Sequence, residues 1–342
     1  MSDDTHLTTA AASDGTAGAS DGTAGATADE VTALLGRRFA WPRGSGVLLA
    51  GSTAEGVAMR GSNVNVLVLD APDDWTPDHE STGSVLRPMS LARNHLFPGD
   101  PVVNMDVLRA RPLHDLAELA SGMSRIQDPG TPDLELPVLD TLEIRFLSRL
   151  RGGRVLHGPE TVERWRLRTG VRWLPAFHCA TTYLTADHFR RKALTAHADR
   201  LPLDASVLFR LAVEHLLISA LAAEGRVLHE VKNLGRTIGA VRAAGARQSR
   251  LFEQAVRLLG HGMEPGPALF ALFDECSAHL LRGLGSAPYG RTAADYLAGQ
   301  GYAEAESGPV EAWDHDGGGE NRAPAAPGHV RTEQGHVQEA QT

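Results

Sequence analysis

The chain has 342 residues, enough for one large or two ordinary domains with a hydrophobic core. Its formal charge of −9 argues against a general nucleic-acid binder, because phosphate contacts require a basic surface. Two widely separated cysteines, Cys179 and Cys276, form neither a disulfide framework nor a cysteine zinc site. No apolar run approaches the roughly 18 residues that span a bilayer, and the first residues lack a secretory signal. We therefore expect a cytoplasmic protein without a membrane partner.

Both ends of the chain have the composition of disordered segments. Residues 1–28 contain the tandem repeat SDGTAGASDGTAGA, and residues 304–342 show no hydrophobic periodicity. Neither segment can bury enough apolar surface to offset the entropy lost on ordering. We therefore predict a disordered tail on each side of the folded part.

The first folded stretch contains short runs rich in β-branched residues, which predict strands at 46–52, 63–69 and 102–108. The intervening segment 71–100 is mostly polar and proline-rich, so we expect an inserted loop there. Side chains alternate along a strand, which places Asn63 and Asn65 on one face with Leu67. If the strands are neighbours, one polar patch forms beside the turn at Gly51 from these side chains: Asn63, Asn65, Asn104 and Asp106.

From about residue 112 the pattern is helical. A stripe of apolar residues predicts a helix that ends at Gly152, and it consists of Leu139, Leu142, Phe146 and Leu150. Residues 204–225 are apolar on nearly all sides, which predicts a central helix of a bundle that begins at an Asp204 cap. The predicted class is α+β: a small mixed sheet with helices at 29–155, followed by an all-α helical bundle at 156–303.

The strand–turn–strand unit resembles the nucleotidyltransferase superfamily of the DNA polymerase β type, in particular its minimal and aminoglycoside-type members. The pattern of that family is Gly-Ser, a short helix that ends in Gly, Ser-Asp-x-Asp on a strand, and a third carboxylate on a later strand. Here it reads Gly51-Ser52-Thr-Ala-Glu-Gly56, then Ser62-Asn63-Val-Asn65, then Asp106. The helical half is similar to the bundles that follow such domains.

The resemblance implies roles for these positions. Ser52 would contact the triphosphate, the two asparagine positions would hold two Mg²⁺ ions, and Asp106 would be the catalytic and metal-binding third carboxylate. The implied nucleotide-binding residues are Gly51, Ser52, Ser62, Asn63 and Asn65. Lys232 and Arg236 are candidate phosphate contacts, because the helical domain of the family closes over the nucleotide.

Asparagine stands at both positions where this chemistry requires aspartate. Mg²⁺ prefers charged oxygen ligands and dehydrates reluctantly, whereas an asparagine oxygen is a neutral dipole. Asp70 has the parity that points away from the patch. Glu55, in the turn itself, is the best substitute carboxylate, although its position faces phosphate in the family.

Two hypotheses follow from this pattern. The first is a degenerate nucleotidyltransferase-fold protein that binds a nucleotide or a partner with impaired two-metal catalysis. The alternative is an active enzyme that transfers a nucleotide from a nucleoside triphosphate to a small-molecule hydroxyl, with Mg²⁺ as cofactor. A third pattern, Arg191 with His197, matches the spacing of a ribonuclease signature, but a solvated helix face explains it more simply.

Overall fold

The computed structural model describes residues 27–56, 58, 62–75, 83–86, 91–95, 102–128, 136–228, 234–245, 249–260 and 265–302. Apart from Thr27 and Ala28, the predicted disordered tails lie outside these residues. Lys232 also lies outside them.

One six-stranded sheet of mixed orientation forms within the described residues. Its strands are β1 (Gly46–Ala50), β2 (Val64–Leu69), β3 (Gly83–Leu86), β4 (Leu91–His95), β5 (Val103–Leu108) and β6 (Arg154–His157). The spatial order is β3-β4-β5-β2-β1-β6. The central pair, β2 and β5, is parallel, and the other neighbours are antiparallel.

The described residues also form ten α-helices, most of them after the sheet. They are α1 (Ala28–Arg38), α2 (Ala110–Ser121), α3 (Thr141–Gly152), α4 (Pro159–Arg168), α5 (Leu174–Ala198), α6 (Pro202–Ala223), α7 (Leu234–Ala243), α8 (Ser249–Gly260), α9 (Pro267–Leu284) and α10 (Gly290–Gly299). The predicted α+β class, a small mixed sheet followed by helices, is confirmed.

The predicted loop at 71–100 is wrong at two places, because β3 and β4 form an antiparallel hairpin inside it. β4 then pairs with β5 along Leu91–His95. The sequence of β4 does not indicate a strand, because it lacks β-branched residues, and it is extended through its pairing with β5. β6 is a third strand that the sequence pattern did not indicate.

The two faces of the sheet pack against different hydrophobic groups. On β2, Val64, Val66 and Val68 pack with α1, whereas Leu67 and Leu69 join the large core of the helices. The predicted alternation along this strand is therefore correct. Asn65 shares the parity of Leu67, which places its side chain on the helix side of the sheet.

Helix α6 is central, as its composition predicts. It is buried along most of its length, although it begins at Pro202 with Leu201 rather than Asp204 as the cap residue. By length and composition it is apolar enough to cross a bilayer, which corrects the expectation that no such run exists. Within its most apolar window 61% of the residues are buried inside the protein, as is typical of a core helix.

Helix α1 begins with a capping box at Thr27. The Thr27 hydroxyl accepts from the Glu30 N–H, and the Glu30 carboxylate accepts from the Thr27 N–H. We expect Thr27→Ala to lower the free energy of unfolding by about 1 kcal/mol, because one helix-end donor loses its partner. Chemical denaturation measures the change. Thr195→Ala, which removes a hydroxyl bonded only within its own helix, should have a smaller effect; equal losses would contradict the cap.

Candidate functional site

The Gly51–Ser52 turn lies directly after β1, against the second asparagine of the motif. Gly51–Thr53 forms one 3₁₀ turn, and Gly51 has a φ of +70°. A Cβ atom added at Gly51 would lie 3.0 Å from Asn65 Nδ2. Glycine is therefore required here both by its left-handed backbone and by the close approach of the asparagine.

The predicted polar patch forms because β2 and β5 are adjacent and parallel. Asn65 is paired in register with Asn104, and Leu67 with Asp106. Asp106 is buried, whereas Asn65 and Asn104 are half-buried. Asn63 is exposed just before β2, and its carbonyl lies 3.5 Å from Asn65 Nδ2.

A guanidinium group from α3 occupies the centre of this patch. Arg149 Nη1 forms a short ion pair with Asp106 Oδ2, and Arg149 Nη2 donates to Asn65 Oδ1 at 3.1 Å. The exposed side-chain fractions are only 11% for Arg149 and 4% for Asp106. One cation inside the protein therefore binds oxygens on both central strands.

Arg149 was not identified from the sequence. Helix α3 carries several arginines, and nothing local distinguishes the one that faces the sheet. Arg151, two residues on, instead donates to the Gly225 carbonyl and lies over the Tyr289 ring. Arg145 precedes Phe146 of the apolar stripe just as Arg149 precedes Leu150, so no local signal could have singled out Arg149.

The other predicted site residues lie around the same turn. Ser52 and Ser62 are both half-buried, Ser52 within the 3₁₀ turn and Ser62 just before β2. Arg236 of α7 donates to the Ala58 carbonyl at 3.1 Å, so this candidate phosphate contact does reach the segment after the turn. Asp70 accepts hydrogen bonds from Arg164 and Trp165 of α4. It does not follow the predicted strand alternation, because its φ of +59° ends the extended backbone and Trp165 belongs to the same core as Leu67 and Leu69.

Glu55 completes the turn. Its N–H donates to the Gly51 carbonyl at 3.1 Å. Burial raises the pKa of the Glu55 carboxyl, and the nearby Arg226 and Arg149 oppose that rise. The best substitute carboxylate of the sequence analysis is therefore associated with arginines.

Arg226, which sequence reasoning also missed, lies on a segment that three side chains hold in place. Ser148 Oγ donates to the Val227 carbonyl at 3.2 Å, Arg151 donates to Gly225 at 2.9 Å, and His178 Nε2 lies 2.8 Å from the Leu228 carbonyl. Burial lowers the pKa of His178 to about 4, so its ring is neutral at pH 7 and donates through Nε2. The segment that carries Arg226 is thereby tied to α3.

The remaining candidates have structural partners. Arg191 pairs with Asp187 and donates to Tyr302, while His197 packs near Phe270, so the ribonuclease-like spacing does not form a catalytic pair. Within the described part of the chain, no group of three or more His, Cys, Asp or Glu side chains is arranged to hold a metal ion.

Comparisons with known proteins give a distant likeness to a solved structure. No protein-family model matches the chain, and no curated protein does. Among solved structures, the chain is similar to a nucleotidyltransferase-like protein from Exiguobacterium sibiricum 255-15, with 12% identity over 79% of this chain and 75% of that chain, at a TM-score of 0.35. A likeness at this TM-score decides neither family nor function.

We expect Arg149→Met to lower the free energy of unfolding by about 3–5 kcal/mol, because Asp106 then stays buried without its guanidinium. Arg149→Met combined with Asp106→Asn should recover much of this loss, since no buried carboxylate remains. Denaturant unfolding of the variants measures both effects. Arg164→Met is the matched control: it breaks the more exposed Asp70 pair and should cost at most about 1 kcal/mol. Equal losses in the two single variants would contradict a special role for Arg149.

Proposed function

We propose that this protein binds a nucleoside triphosphate at the Gly51–Ser52 turn without transferring it, and that Arg149 takes the place of the metal ion. The single observation behind the proposal is the bridge from Arg149 to Asp106 and Asn65. In the implied two-metal chemistry a cation must lie between these strand oxygens and the phosphates. Here a side chain supplies that positive charge.

The charge balance of the patch favours binding without a metal. A buried carboxylate beside a phosphate chain would repel it, and in a metal enzyme the divalent ions cancel that repulsion. Because Arg149 already neutralises Asp106, the carboxylate of Asp106 would not repel a phosphate chain. Arg236, at the end of the turn, adds attraction for an anion.

The donor set suits Mg²⁺ poorly. The ion prefers charged oxygen ligands in octahedral geometry. The patch offers one carboxylate, Asp106, which is held by a guanidinium, and three neutral amides, Asn63, Asn65 and Asn104. Arg149 already binds Oδ2 of Asp106, so a divalent ion would compete with a nearly buried guanidinium for this carboxylate.

The remaining residues of the proposed site are polar groups around the turn. Ser52 supplies a hydroxyl, and Ser62 and Asn63 precede the strand that carries Asn65. We extend the proposal to Lys232 as a phosphate contact, because it precedes Arg236 by four residues in the sequence. An active transferase with Mg²⁺ is the alternative, and so is a site for a protein partner alone.

We expect ATP to bind equally well, within about threefold, in EDTA and in Mg²⁺. The positive charge of the site belongs to the Arg149 side chain, so EDTA cannot remove it. Isothermal titration calorimetry of the full chain measures both conditions. Ser52→Ala should weaken binding about fivefold through loss of a hydroxyl donor worth roughly 1 kcal/mol. Ser206→Ala, an α6 variant outside the site, should bind as wild type does.

Binding that appears only with Mg²⁺, together with release of pyrophosphate, would instead support the active transferase. Absence of ATP binding in both conditions would contradict nucleotide binding. A site for a protein partner would then be the remaining alternative. If Ser52→Ala and Ser206→Ala bind alike, the turn is not the phosphate site.

Restoring the two aspartates tests the role of Arg149 directly. In Asn63→Asp/Asn65→Asp the new carboxylate at position 65 should pair with Arg149, so Mn²⁺ should raise the melting temperature only slightly. Adding Arg149→Met removes the internal cation and leaves three carboxylates that repel one another. This triple variant should melt earlier in EDTA and recover strongly with Mn²⁺, because the ion binds the folded state preferentially.

Wild type and Arg149→Met alone serve as controls, and neither should respond to Mn²⁺. A strong Mn²⁺ response in the double variant would mean that Arg149 does not compete for the site. If the triple variant also fails to respond, these positions do not form one metal-compatible patch.

A further inference from the structure

A cavity of about 300 Å³ is lined by side chains of α2 and α4. His114, Ala117 and Glu118 of α2 contribute to its wall together with Arg168, the last residue of α4. A volume of this size lies at the lower end of the range for small-molecule sites. It therefore suits a compact metabolite better than a nucleotide.

This cavity belongs to the end of the central strands that lies away from the proposed nucleotide site. β2 and β5 run parallel, and Leu69 is paired with Leu108 where both strands end. Helix α2 follows β5 at this end, and Asp70, directly after β2, accepts a hydrogen bond from Trp165 of α4. At about 3.3 Å per residue, Leu69 lies about 13 Å along the strand from Asn65. The cavity is therefore a separate feature of the fold.

The two nitrogen-rich side chains of the cavity are positioned by Trp165. Only 1% of this tryptophan is exposed, and its Nε1 donates to Asp70 at 3.3 Å. The guanidinium carbon of Arg168 lies 5.1 Å from the centroid of the Trp165 ring, within the range of a cation–π contact. The His114 ring makes an edge contact with the same ring, with the centroids 5.1 Å apart. Both side chains therefore rest on a residue of the rigid core.

Arg168 and His114 are also bonded to each other. Arg168 Nη2 donates to His114 Nδ1 at 3.1 Å. A guanidinium group has no acceptor, so Nδ1 carries no proton and the neutral ring keeps its hydrogen on Nε2. The pair therefore retains the Nε2–H and further guanidinium N–H groups as donors. Donors held in a fixed arrangement are suited to binding a carboxylate.

The two charges of opposite sign in the cavity are not paired. Both other arginines of α4 bind carboxylates, whereas Arg168 forms no ion pair within the part of the chain that the structure describes. Glu118, on the α2 side, has no ion pair among those residues either. A cation and an anion therefore line the same cavity without neutralising each other.

We propose that this cavity binds a small zwitterion of the class of the free α-amino acids. Arg168 and His114 bind its carboxylate, and Glu118 binds its ammonium group. A simple anion would face the carboxylate of Glu118, and a simple cation would face the guanidinium of Arg168. A zwitterion compensates both charges at once. The proposal is independent of nucleotide binding, because no residue of the cavity belongs to the Gly51–Ser52 turn or to the polar patch.

The test screens the full chain against the standard L-amino acids by thermal shift and measures the strongest stabiliser by isothermal titration calorimetry. We expect Arg168→Gln to weaken its binding about tenfold and Glu118→Gln about fivefold, because each variant loses a charge-assisted hydrogen bond. Arg172→Gln is the matched control. Arg172 is an exposed arginine that lies 4.8 Å over the ring of Trp173 and does not line the cavity. This variant should bind as wild type does.

Two derivatives of the amino acid that binds assign each contact. The N-acetyl derivative lacks the ammonium group, so Glu118→Gln should not weaken its binding. The carboxamide derivative lacks the carboxylate, so Arg168→Gln should not weaken its binding. Such coupling between one ligand group and one side chain does not result from a general loss of stability.

If no amino acid stabilises or binds wild type, the inference is wrong and the proposed function is unaffected. Equal amino-acid affinities in Arg168→Gln and Arg172→Gln would also overturn it, because the ligand would then lie elsewhere. Amino-acid binding with the expected dependence on Arg168, in a protein that does not bind ATP, would support the inference and contradict the proposed function. Where ATP does bind, its affinity should be the same in wild type and Arg168→Gln.

Discussion

The guanidinium of Arg149 is the interaction on which the arrangement of the site depends. It joins α3 to both central strands, through Asp106 on β5 and Asn65 on β2. A carboxylate as buried as Asp106 requires a charged partner, because an uncompensated charge in this environment costs several kcal/mol. The contact that joins α3 to the sheet therefore also sets the net charge of the polar patch.

Asparagine at position 65 is compatible with the hydrogen bond that it accepts from Arg149. An aspartate at position 65 would place a second carboxylate on Arg149, whereas the neutral amide accepts one hydrogen bond without altering the charge balance. The amide nitrogen of Asn65 faces the positive-φ glycine of the turn and the Asn63 carbonyl. An amide thus suits both of its neighbours, the donor on α3 and the acceptor on its own strand.

Two further arginines lie on segments near the turn. The segment that carries Arg226 is bonded to α3, and Arg236 donates to the carbonyl of Ala58. Glu55 lies in the turn itself, and burial disfavours its charge.

The predicted strands around the motif lie within a few residues of their observed positions, because β-branched runs and period-two alternation are local properties of the chain. The central position of α6 also follows from its composition. The hairpin β3–β4 was missed because its strands are short and contain few β-branched residues. The strand β6 was missed because it depends on backbone pairing with β1, which is distant in the chain.

The sequence by itself determined which polar residues share a face of the sheet, whereas the need for glycine at position 51 follows from the left-handed backbone and the close approach of Asn65 in the folded protein. It also showed amides at the two positions where the resemblance implies metal ligands. Only the tertiary structure decided which arginine enters the patch, because Arg149 and Asp106 are 43 residues apart in the chain. Helix α3 presents several arginines, and the docking of that helix on the sheet selects one of them. Long-range ion pairs have no local periodicity, so the partner of the buried carboxylate could not be identified from the sequence.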